Sequence, residues 1–311
     1  MGTSYQVNYV APGSSKGPSD RAVEDLLAEI NRSMSTYDAS SMISRLNASS
    51  DTTTWHPVDG HFKTVFLRAR EIYKDTDGAF NPAVGPLVNA WGFGPNPVED
   101  LPGAATIRAL MKVSSFDAFE FRDSPPAVKK AFANAQLDFS AIAKGYAVDA
   151  IASLIEQHGV KDYLVEIGGE VRPRGRRQDG SEWRIGIERP SESALASTRI
   201  QAIIALDNAA LATSGTYRNF ISEDAKTVSH ILNPRTGYPA RSSLLSVSVL
   251  AGDTMTADAY ATAFMVMGLD DALRFVESRQ PLEAYFIARN DAGNIIERRS
   301  AAFPKSLPVS K

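Results

Sequence analysis

The stretch LDFSAIAKGYAVD (Leu137–Asp149) carries the strongest structural signal in this chain. Its pattern predicts a short apolar strand that runs, without proline or asparagine, into an amphipathic helix. The junction holds the acid Asp138, the lysine Lys144 and Gly145, with small residues between them. Small residues allow backbone groups to approach a ligand closely, and a helix N-terminus favours anionic groups. The stretch therefore indicates that a ligand lies against this turn.

The rest of the chain mixes helical and strand patterns without a regular order. The spacing of apolar residues predicts a strand over 3–10, a helix after Ser19, a helix over 57–73, an ordered loop over 78–97, a helix from Ala143 to Gly159, strands at 162–167, 183–188, 199–206 and 244–250, helices near 256–267 and 270–279, and a hairpin over 284–298. Because no βαβ rhythm is present, the sequence predicts an α+β fold with helices and antiparallel sheets. No linker divides the chain, which indicates a single domain over residues 1–311 with a loosely ordered tail at 304–311.

Composition excludes several classes of function. The 33 basic and 36 acidic residues give a net charge of −3, so no general affinity for nucleic acid is expected. The absence of cysteine excludes disulfides, thiolate metal sites, iron–sulfur clusters and a cysteine nucleophile. No apolar run is long enough to span a bilayer. The sequence begins at Met1 with a strand pattern, from which we expect that a targeting segment has been removed.

A candidate metal site lies in GDTMTADAYATAFMVMG (252–268), which has the pattern of a capped helix. Asp258 and Thr262 are four residues apart and share one face of that helix. A carboxylate and a hydroxyl beside a backbone carbonyl form a set of hard oxygen ligands suited to Mg²⁺. An acid near the start of a helix also complements the helix dipole. Spacing alone favours this second, structural interpretation.

A candidate general base is His230, in the segment SHILNPRTGYPA. The pairs Asn233-Pro234 and Thr236-Gly237 mark a tight turn after a short strand. A histidine at such a strand end can act as a base near neutral pH. The alternative is a histidine whose ring nitrogens form hydrogen bonds to the loop, which is the more common case.

Aromatic residues concentrate in DGAFNPAVGPLVNAWGFGP (77–95), which carries Trp91 and Phe93 among glycines and prolines. A planar heteroaromatic ligand could stack on such side chains. Equally, the rings can fill a core beneath an ordered loop, which is the usual place of aromatic residues. Tyr37, just past a predicted helix end in MSTYD, allows the same two interpretations.

Eight blocks of this sequence, taken in order, resemble one family. They are MGTSYQV, MSTYD with SMISRLN, DGAFNPAVGPLVNAWGFGP, LDFSAIAKGYAVD, YLVEIGGEVRPRG, ATSGTYRNF, SHILNPRTG and DTMTADAYATAFMVMG. The blocks are similar to those of the ApbE family, the FAD:protein FMN transferases, from Met1 to about residue 280. One block alone is weak support, whereas eight in the right order are specific.

The resemblance implies an α+β fold with features of the tunnelling fold and a Mg²⁺-dependent transferase that splits FAD at its pyrophosphate. The FMN half is joined through a phosphoester to a threonine of a target protein, and AMP leaves. Implied partners are subunits of membrane redox complexes with acceptor sites of the kind D-G-x-[ST]-G-[AS]-T. The implied location is periplasmic or membrane-anchored facing the periplasm, with a lipid anchor ahead of Met1 as one option. A FAD pyrophosphatase and a non-catalytic FAD-binding protein are the alternatives.

The resemblance also assigns roles to single residues. His230 falls at the histidine proposed to activate the acceptor hydroxyl. Asp258 and Thr262 fall at metal-ligand positions, and Ala141 falls where a backbone oxygen or a hydroxyl meets the metal. The FAD-contacting positions are Met1, Tyr37, Ala79, Phe80, Asn81, Asp138, Lys144 and Ile231.

Two residues depart from the family pattern. Asn81 stands where many relatives have aspartate, which changes the charge of a flavin contact. Ala261 stands where some relatives have another aspartate. With one fewer carboxylate, a weaker metal site is expected.

Overall fold

A computed structural model describes residues 2–11, 13, 16–95, 98, 100–190, 200–216, 220–223 and 226–308. The helices in these ranges are α1 (Asp20–Met34), α2 (Met42–Ala48), α3 (Gly60–Asp75), α4 (Gly85–Ala90), α5 (Ala104–Met111), α6 (Ala143–Gln157), α7 (Thr254–Met267) and α8 (Leu269–Glu277). The strands are β1 (Tyr5–Val10), β2 (His56–Pro57), β3 (Phe119–Asp123), β4 (Pro126–Lys130), β5 (Asp162–Ile167), β6 (Glu170–Arg174), β7 (Trp183–Glu188), β8 (Ile200–Leu206), β9 (Ala210–Gly215), β10 (Phe220–Glu223), β11 (Lys226–Ser229), β12 (Leu232–Asn233), β13 (Tyr238–Pro239), β14 (Leu244–Ala251), β15 (Glu283–Arg289) and β16 (Ile295–Arg299). None of these helices is both long and apolar enough to cross a membrane.

Seven strands form one antiparallel sheet in the order β1–β5–β6–β9–β14–β15–β16. Side chains alternate between its two faces, as strand geometry requires. On one face, Val247, Val249 and Phe286 belong to the main core, which also contains the buried sides of α6 and α7. On the other face, Leu250 and Ile287 pack in a second core with residues of β7 and β8. The antiparallel pairing confirms the predicted α+β fold.

Side-chain caps set several helix boundaries. The hydroxyl of Ser19 accepts a hydrogen bond from the N–H of Ala22 at 3.2 Å, which confirms the predicted start of α1. Helix α3 begins later than predicted because Asp59 caps it, accepting from the N–H of Phe62 at 2.8 Å. Helix α6 ends shortly before Gly159, as predicted, and this glycine has a φ of 77°.

The strand predicted at the start of LDFSAIAKGYAVD is wrong, because residues 135–142 form an irregular segment and a turn. The side chain of Asn47 forms hydrogen bonds to both backbone groups of Leu137. It donates to the carbonyl and accepts from the N–H, each at 2.8 Å. The carboxylate of Asp138 then accepts from the N–H and the hydroxyl of Ser140, at 2.8 and 2.5 Å. These side chains replace a neighbouring strand and bend the chain.

The loop predicted over 78–97 contains the short helix α4. Trp91 directly follows this helix and is buried, and its ring nitrogen donates to the carbonyl of Gly237 at 2.9 Å. It packs with Leu87 and Leu232 in a third, small core. Of the two interpretations for Trp91, the structure therefore supports the core position.

Gly145 allows α6 and α7 to touch backbone to backbone. A Cβ atom at this position would lie 2.3 Å from the carbonyl oxygen of Thr254 and 2.8 Å from the Cα atom of Met255. Both residues belong to the first turn of α7. The small residues at this turn indicated a close neighbour. At Gly145 this neighbour is α7 of the same chain.

We expect Gly145→Ala to lower the free energy of unfolding by about 1–3 kcal/mol, because a backbone, not a flexible side chain, blocks the added methyl group. Gly60→Ala is the matched control, since Gly60 also lies in the first turn of a helix and a Cβ there meets nothing within 4 Å. Urea unfolding followed by circular dichroism measures both variants. Equal stability of the two variants would contradict the close helix contact.

Candidate active site

Asp258 lies one turn into α7, where this helix meets the N-terminus of α6. Its Oδ2 accepts a hydrogen bond from the N–H of Gly145 at 3.0 Å, and its Oδ1 lies 3.6 Å from the Nζ of Lys144. The side chain is almost fully buried. The sequence predicted an anionic group at the start of α6, and here the chain itself supplies one.

Glu170, which no sequence pattern singled out, completes a buried group of charges. The chain turns from β5 into β6 through Gly168 and Gly169, both with positive φ, and Glu170 is the first residue of β6. Its Oε1 lies 3.4 Å from the Nζ of Lys144. Its Oε2 is buried and has no hydrogen-bond partner within the described ranges. We refer to Lys144, Glu170 and Asp258 as the carboxylate cluster.

Burial shifts the ionisation of this cluster. Desolvation raises the pKa of Glu170 above the usual carboxyl range; Lys144 opposes this rise and Asp258 adds to it. Desolvation acts to lower the pKa of Lys144, but the two carboxylates outweigh it, so the pKa of Lys144 lies above its usual value. Two carboxyl groups therefore share one permanent ammonium. With both carboxyl groups ionised, the cluster carries one negative charge in excess.

The other two predicted metal-ligand positions lie on α7 and on the turn that leads into α6, the two segments that Asp258 connects. Thr262 lies one turn after Asp258 on α7, and its hydroxyl oxygen is 3.2 Å from that of Ser214 on β9. Ala141 lies in the turn that leads into α6. Asp258 thus joins the two elements that carry these positions, since it contacts the first turn of α6. Ser214 is a polar neighbour of Thr262 that the sequence did not predict.

The donors at this junction fit a divalent cation such as Mg²⁺. A buried carboxylate, a hydroxyl and a backbone carbonyl are hard oxygen ligands, and the cluster carries more acidic than basic groups. In the part of the chain that the structure describes, no group of three or more histidine, aspartate or glutamate side chains could hold a metal by itself. Ala261 is fully buried in the main core. A cation here would depend on Asp258 for charge.

The predicted FAD contacts Ala79, Phe80 and Asn81 lie in the loop after α3. Ala79 and Phe80 are buried in the main core, and their N–H groups donate to the carbonyl and the hydroxyl oxygen of Thr76, each at 3.1 Å, which leaves their carbonyl oxygens for a ligand. The side chain of Asn81 donates to the carbonyl of Ser114 at 2.9 Å and accepts from the N–H of Ala83 at 2.8 Å. Asn81 therefore stabilises the loop through contacts that need no charge.

Asp138 is joined to this loop through the backbone. Its N–H donates to the carbonyl of Pro82 at 2.7 Å. Its side chain is half-buried and holds the turn that precedes α6. The predicted contacts at 79–81 and at Asp138 therefore lie on two directly bonded segments.

Phe93 joins the predicted base to a predicted flavin contact. Tyr37 is 69% exposed, and its hydroxyl donates to the carbonyl of Phe93 at 3.3 Å. The ring of Phe93 packs edge-on against the imidazole of His230, with ring centroids 6.4 Å apart. Phe93 is only partly buried, and it packs against the edge of the small core that contains Trp91. Exposed Tyr37 therefore lies on one side of Phe93, and half-buried His230 lies on the other.

The hairpin β12–β13, which directly follows the His230 segment, is tied to the loop after α3. The guanidinium of Arg235 donates to the carbonyl oxygens of Asp77 and Thr76, at 2.8 and 3.3 Å, and pairs with the carboxylate of Asp77 at 3.0 Å. Ile231, a predicted FAD contact, is buried, and its carbonyl accepts from the N–H of Ala240 at 2.8 Å. These bonds fix the backbone on the C-terminal side of His230.

Met1, a predicted FAD contact, lies outside the described residues. Thr3 packs against the turn between β5 and β6, where a Cβ at Gly168 would lie 2.9 Å from the methyl carbon of Thr3 and 3.5 Å from the Oε2 of Glu170. The described N-terminal segment therefore begins next to the carboxylate cluster. The structure brings Lys144 and Asp258 into contact and links Tyr37 to His230 through Phe93, while the roles of these residues stay predictions.

The chain matches the family model described as the ApbE family over residues 1–286. A protein of Haemophilus influenzae named FAD:protein FMN transferase is 36% identical, with 98% of this chain and 89% of that protein covered. A protein of Vibrio cholerae with the same name is also 36% identical, with 94% and 86% covered. The likeness to proteins of this name thus extends over almost the whole sequence.

Solved structures agree with these sequence relatives. The flavin transferase ApbE from Vibrio cholerae superposes with a TM-score of 0.85 at 33% identity, covering 97% of this chain and 95% of its own. The apo form of the flavinyl transferase ApbE from Pseudomonas stutzeri also gives a TM-score of 0.85, at 34% identity, with 97% and 92% covered. Fold, family model and full-length relatives all agree, and the chain therefore belongs to the ApbE family.

Proposed function

We propose that this chain is a Mg²⁺-dependent FAD:protein FMN transferase, which attaches FMN from FAD to a threonine of a target flavoprotein. The structural observation that supports this most is the junction of α6 and α7. There Lys144, a predicted FAD contact, lies 3.6 Å from Asp258, a predicted metal ligand. A cation and a carboxylate beside a helix N-terminus suit a diphosphate with its metal ion.

The proposed reaction breaks the phosphoanhydride bond of FAD and forms a phosphoester bond to threonine. The threonine oxygen forms a bond to the phosphorus of the FMN half, the bond from that phosphorus to the bridging oxygen breaks, and AMP leaves with that oxygen. His230 accepts the threonine proton, because a hydroxyl is a poor nucleophile until a base removes its proton. Asp258, Thr262 and the backbone oxygen of Ala141 would hold Mg²⁺. This ion would neutralise negative charge on the diphosphate.

The remaining predicted contacts divide between the two ends of FAD. Exposed Tyr37, with Phe93 beside it, offers an aromatic surface to the isoalloxazine ring. Lys144, whose side chain is partly exposed, offers a positive charge to the diphosphate. The backbone at 79–81, together with Asp138, Ile231 and Met1, would complete the pocket.

A transfer assay tests this proposal directly. The protein is incubated with FAD, Mg²⁺ and an acceptor protein that carries a D-G-x-[ST]-G-[AS]-T site. We expect a fluorescent flavin adduct on the acceptor in a denaturing gel, with one AMP released for each adduct. Excess EDTA, or an acceptor in which alanine replaces the final threonine of that site, should abolish the adduct.

Three results would contradict the proposal in different ways. Release of FMN and AMP without any adduct would identify a FAD pyrophosphatase. FAD that stays bound and intact for hours in Mg²⁺ would identify a flavin-binding protein without catalysis. Equal transfer with and without EDTA would remove the metal from the mechanism.

A further inference from the structure

The ammonium of Lys144 is almost equally distant from two buried carboxyl groups. Its Nζ is 3.4 Å from the Oε1 of Glu170 and 3.6 Å from the Oδ1 of Asp258. Both acidic side chains are nearly inaccessible to solvent, so their charges are poorly screened. The position of this one ammonium therefore decides how far it compensates the negative charge of the Asp258 carboxylate.

An ammonium that paired with Asp258 alone would compete with any metal ion for that carboxylate. A buried charge pair of this kind is held tightly when no other partner is present, because an unpaired buried charge is costly. Glu170 offers Lys144 a second partner at a slightly shorter distance. The ammonium can then remain in the site without neutralising Asp258.

Glu170 is attached to a different and rigid part of the fold. It begins β6, an interior strand of the seven-stranded sheet, and pairs with Ile167 across the turn at Gly168 and Gly169. The N–H of Gly169 donates to Glu166 at 2.6 Å, which fixes the turn further. Lys144 and Asp258 are carried by helices, so the sheet provides an independent support for the position of the ammonium.

We propose that Glu170 is a positioning residue, which holds the ammonium of Lys144 so that the carboxylate of Asp258 is available to a divalent cation. This inference rests on the proposed metal site of the transferase. It assigns Glu170 no contact with the metal or with FAD. Its effect on the cation is exerted through Lys144.

A double-mutant cycle on cation binding tests this role. Mn²⁺ replaces Mg²⁺ at hard oxygen sites, and the free ion is measured by electron paramagnetic resonance without FAD or acceptor. We expect Glu170→Gln to weaken Mn²⁺ binding about tenfold or more, equivalent to at least 1.4 kcal/mol. In a Lys144→Met background, the same change should leave Mn²⁺ binding almost unaltered. Glu120→Gln, which breaks an exposed ion pair with Lys129 between β3 and β4, is the matched control and should bind Mn²⁺ like the wild type.

Each other result overturns the inference. Unchanged Mn²⁺ affinity in Glu170→Gln would show that Lys144 does not compete for Asp258. An equal loss in the Lys144→Met background would show that Glu170 acts on the cation directly or supports the fold. Circular dichroism and thermal unfolding of each variant separate these last two cases. A wild type that transfers FMN without any divalent cation would overturn the metal site and this inference together. Unchanged affinity in Glu170→Gln, or an equal loss in the Lys144→Met background, would overturn this inference and leave the transferase proposal intact.

Discussion

Replacing His230 with alanine should lower the rate of FMN transfer about 10²- to 10⁴-fold, the usual contribution of a positioned general base. Binding of FAD should change little, because the base acts on the acceptor hydroxyl and not on the dinucleotide. The expected signature is therefore a large fall in kcat with a nearly constant affinity for FAD.

The structure explains why these two effects should separate. The hairpin after His230 is fixed by Arg235, which binds backbone carbonyls at the end of α3, and by the hydrogen bond from Trp91 to Gly237. These bonds involve no atom of the imidazole. Phe93 loses one edge-on ring contact but keeps its link to Tyr37, which is formed through its carbonyl oxygen. The backbone and the aromatic surface should therefore persist without the histidine ring.

Single-turnover transfer, measured as flavin fluorescence on the acceptor, should be compared with FAD binding measured by fluorescence titration. His158→Ala is the control, because His158 is an exposed histidine at the C-terminus of α6. Added imidazole should restore part of the transfer in His230→Ala only. A parallel loss of FAD binding and transfer, without rescue by imidazole, would instead make His230 a structural residue.

Local sequence patterns predicted most of the fold because the interactions that define most elements are local. The cap of α7 is an example: Asp253 accepts from the N–H of Thr256 at 2.8 Å, three residues away. The alternation of side chains along β14 likewise places Val247 and Val249 in the main core and Leu250 in the second core. The strand predicted at the start of LDFSAIAKGYAVD failed because the side chain that bonds the backbone of Leu137 belongs to Asn47, 90 residues away in the sequence.

The candidate site shows the same limit. Asp258 and Thr262 were found as a pair because helical spacing alone places them on one face. Glu170 was missed because its partner, Lys144, lies on another element, and their contact exists only once α6 packs against β6. One signal could have found it: an acid directly after two glycines, followed by Val171, is out of place at the start of a buried strand.

Asp258→Asn should lower Mg²⁺-dependent transfer about 10²- to 10³-fold, since metal stabilisation of a phosphoryl transition state is worth several kcal/mol and each 1.4 kcal/mol is a factor of ten. The amide keeps an oxygen that can accept the N–H of Gly145, so the junction of α6 and α7 should persist. It removes the negative charge that the cation needs. Transfer rates measured against Mg²⁺ concentration should show a saturation curve displaced to much higher Mg²⁺. Asp271→Asn, at an exposed ion pair on α8, is the control.

Asp258→Ala separates the two roles that this carboxylate can have. A residue that only caps the N-terminus of α6 would be replaced well by asparagine, and transfer in Asp258→Asn would then equal that of the wild type. A metal ligand would be replaced by neither residue, so transfer should fall in both variants. The free energy of unfolding should fall in Asp258→Ala but not in Asp258→Asn. Alanine leaves the buried N–H of Gly145 without a partner, at a cost of about 1–3 kcal/mol, whereas asparagine can still accept its hydrogen bond. Urea unfolding of the two variants, set beside their Mg²⁺ curves, therefore distinguishes a helix cap from a metal ligand at one position.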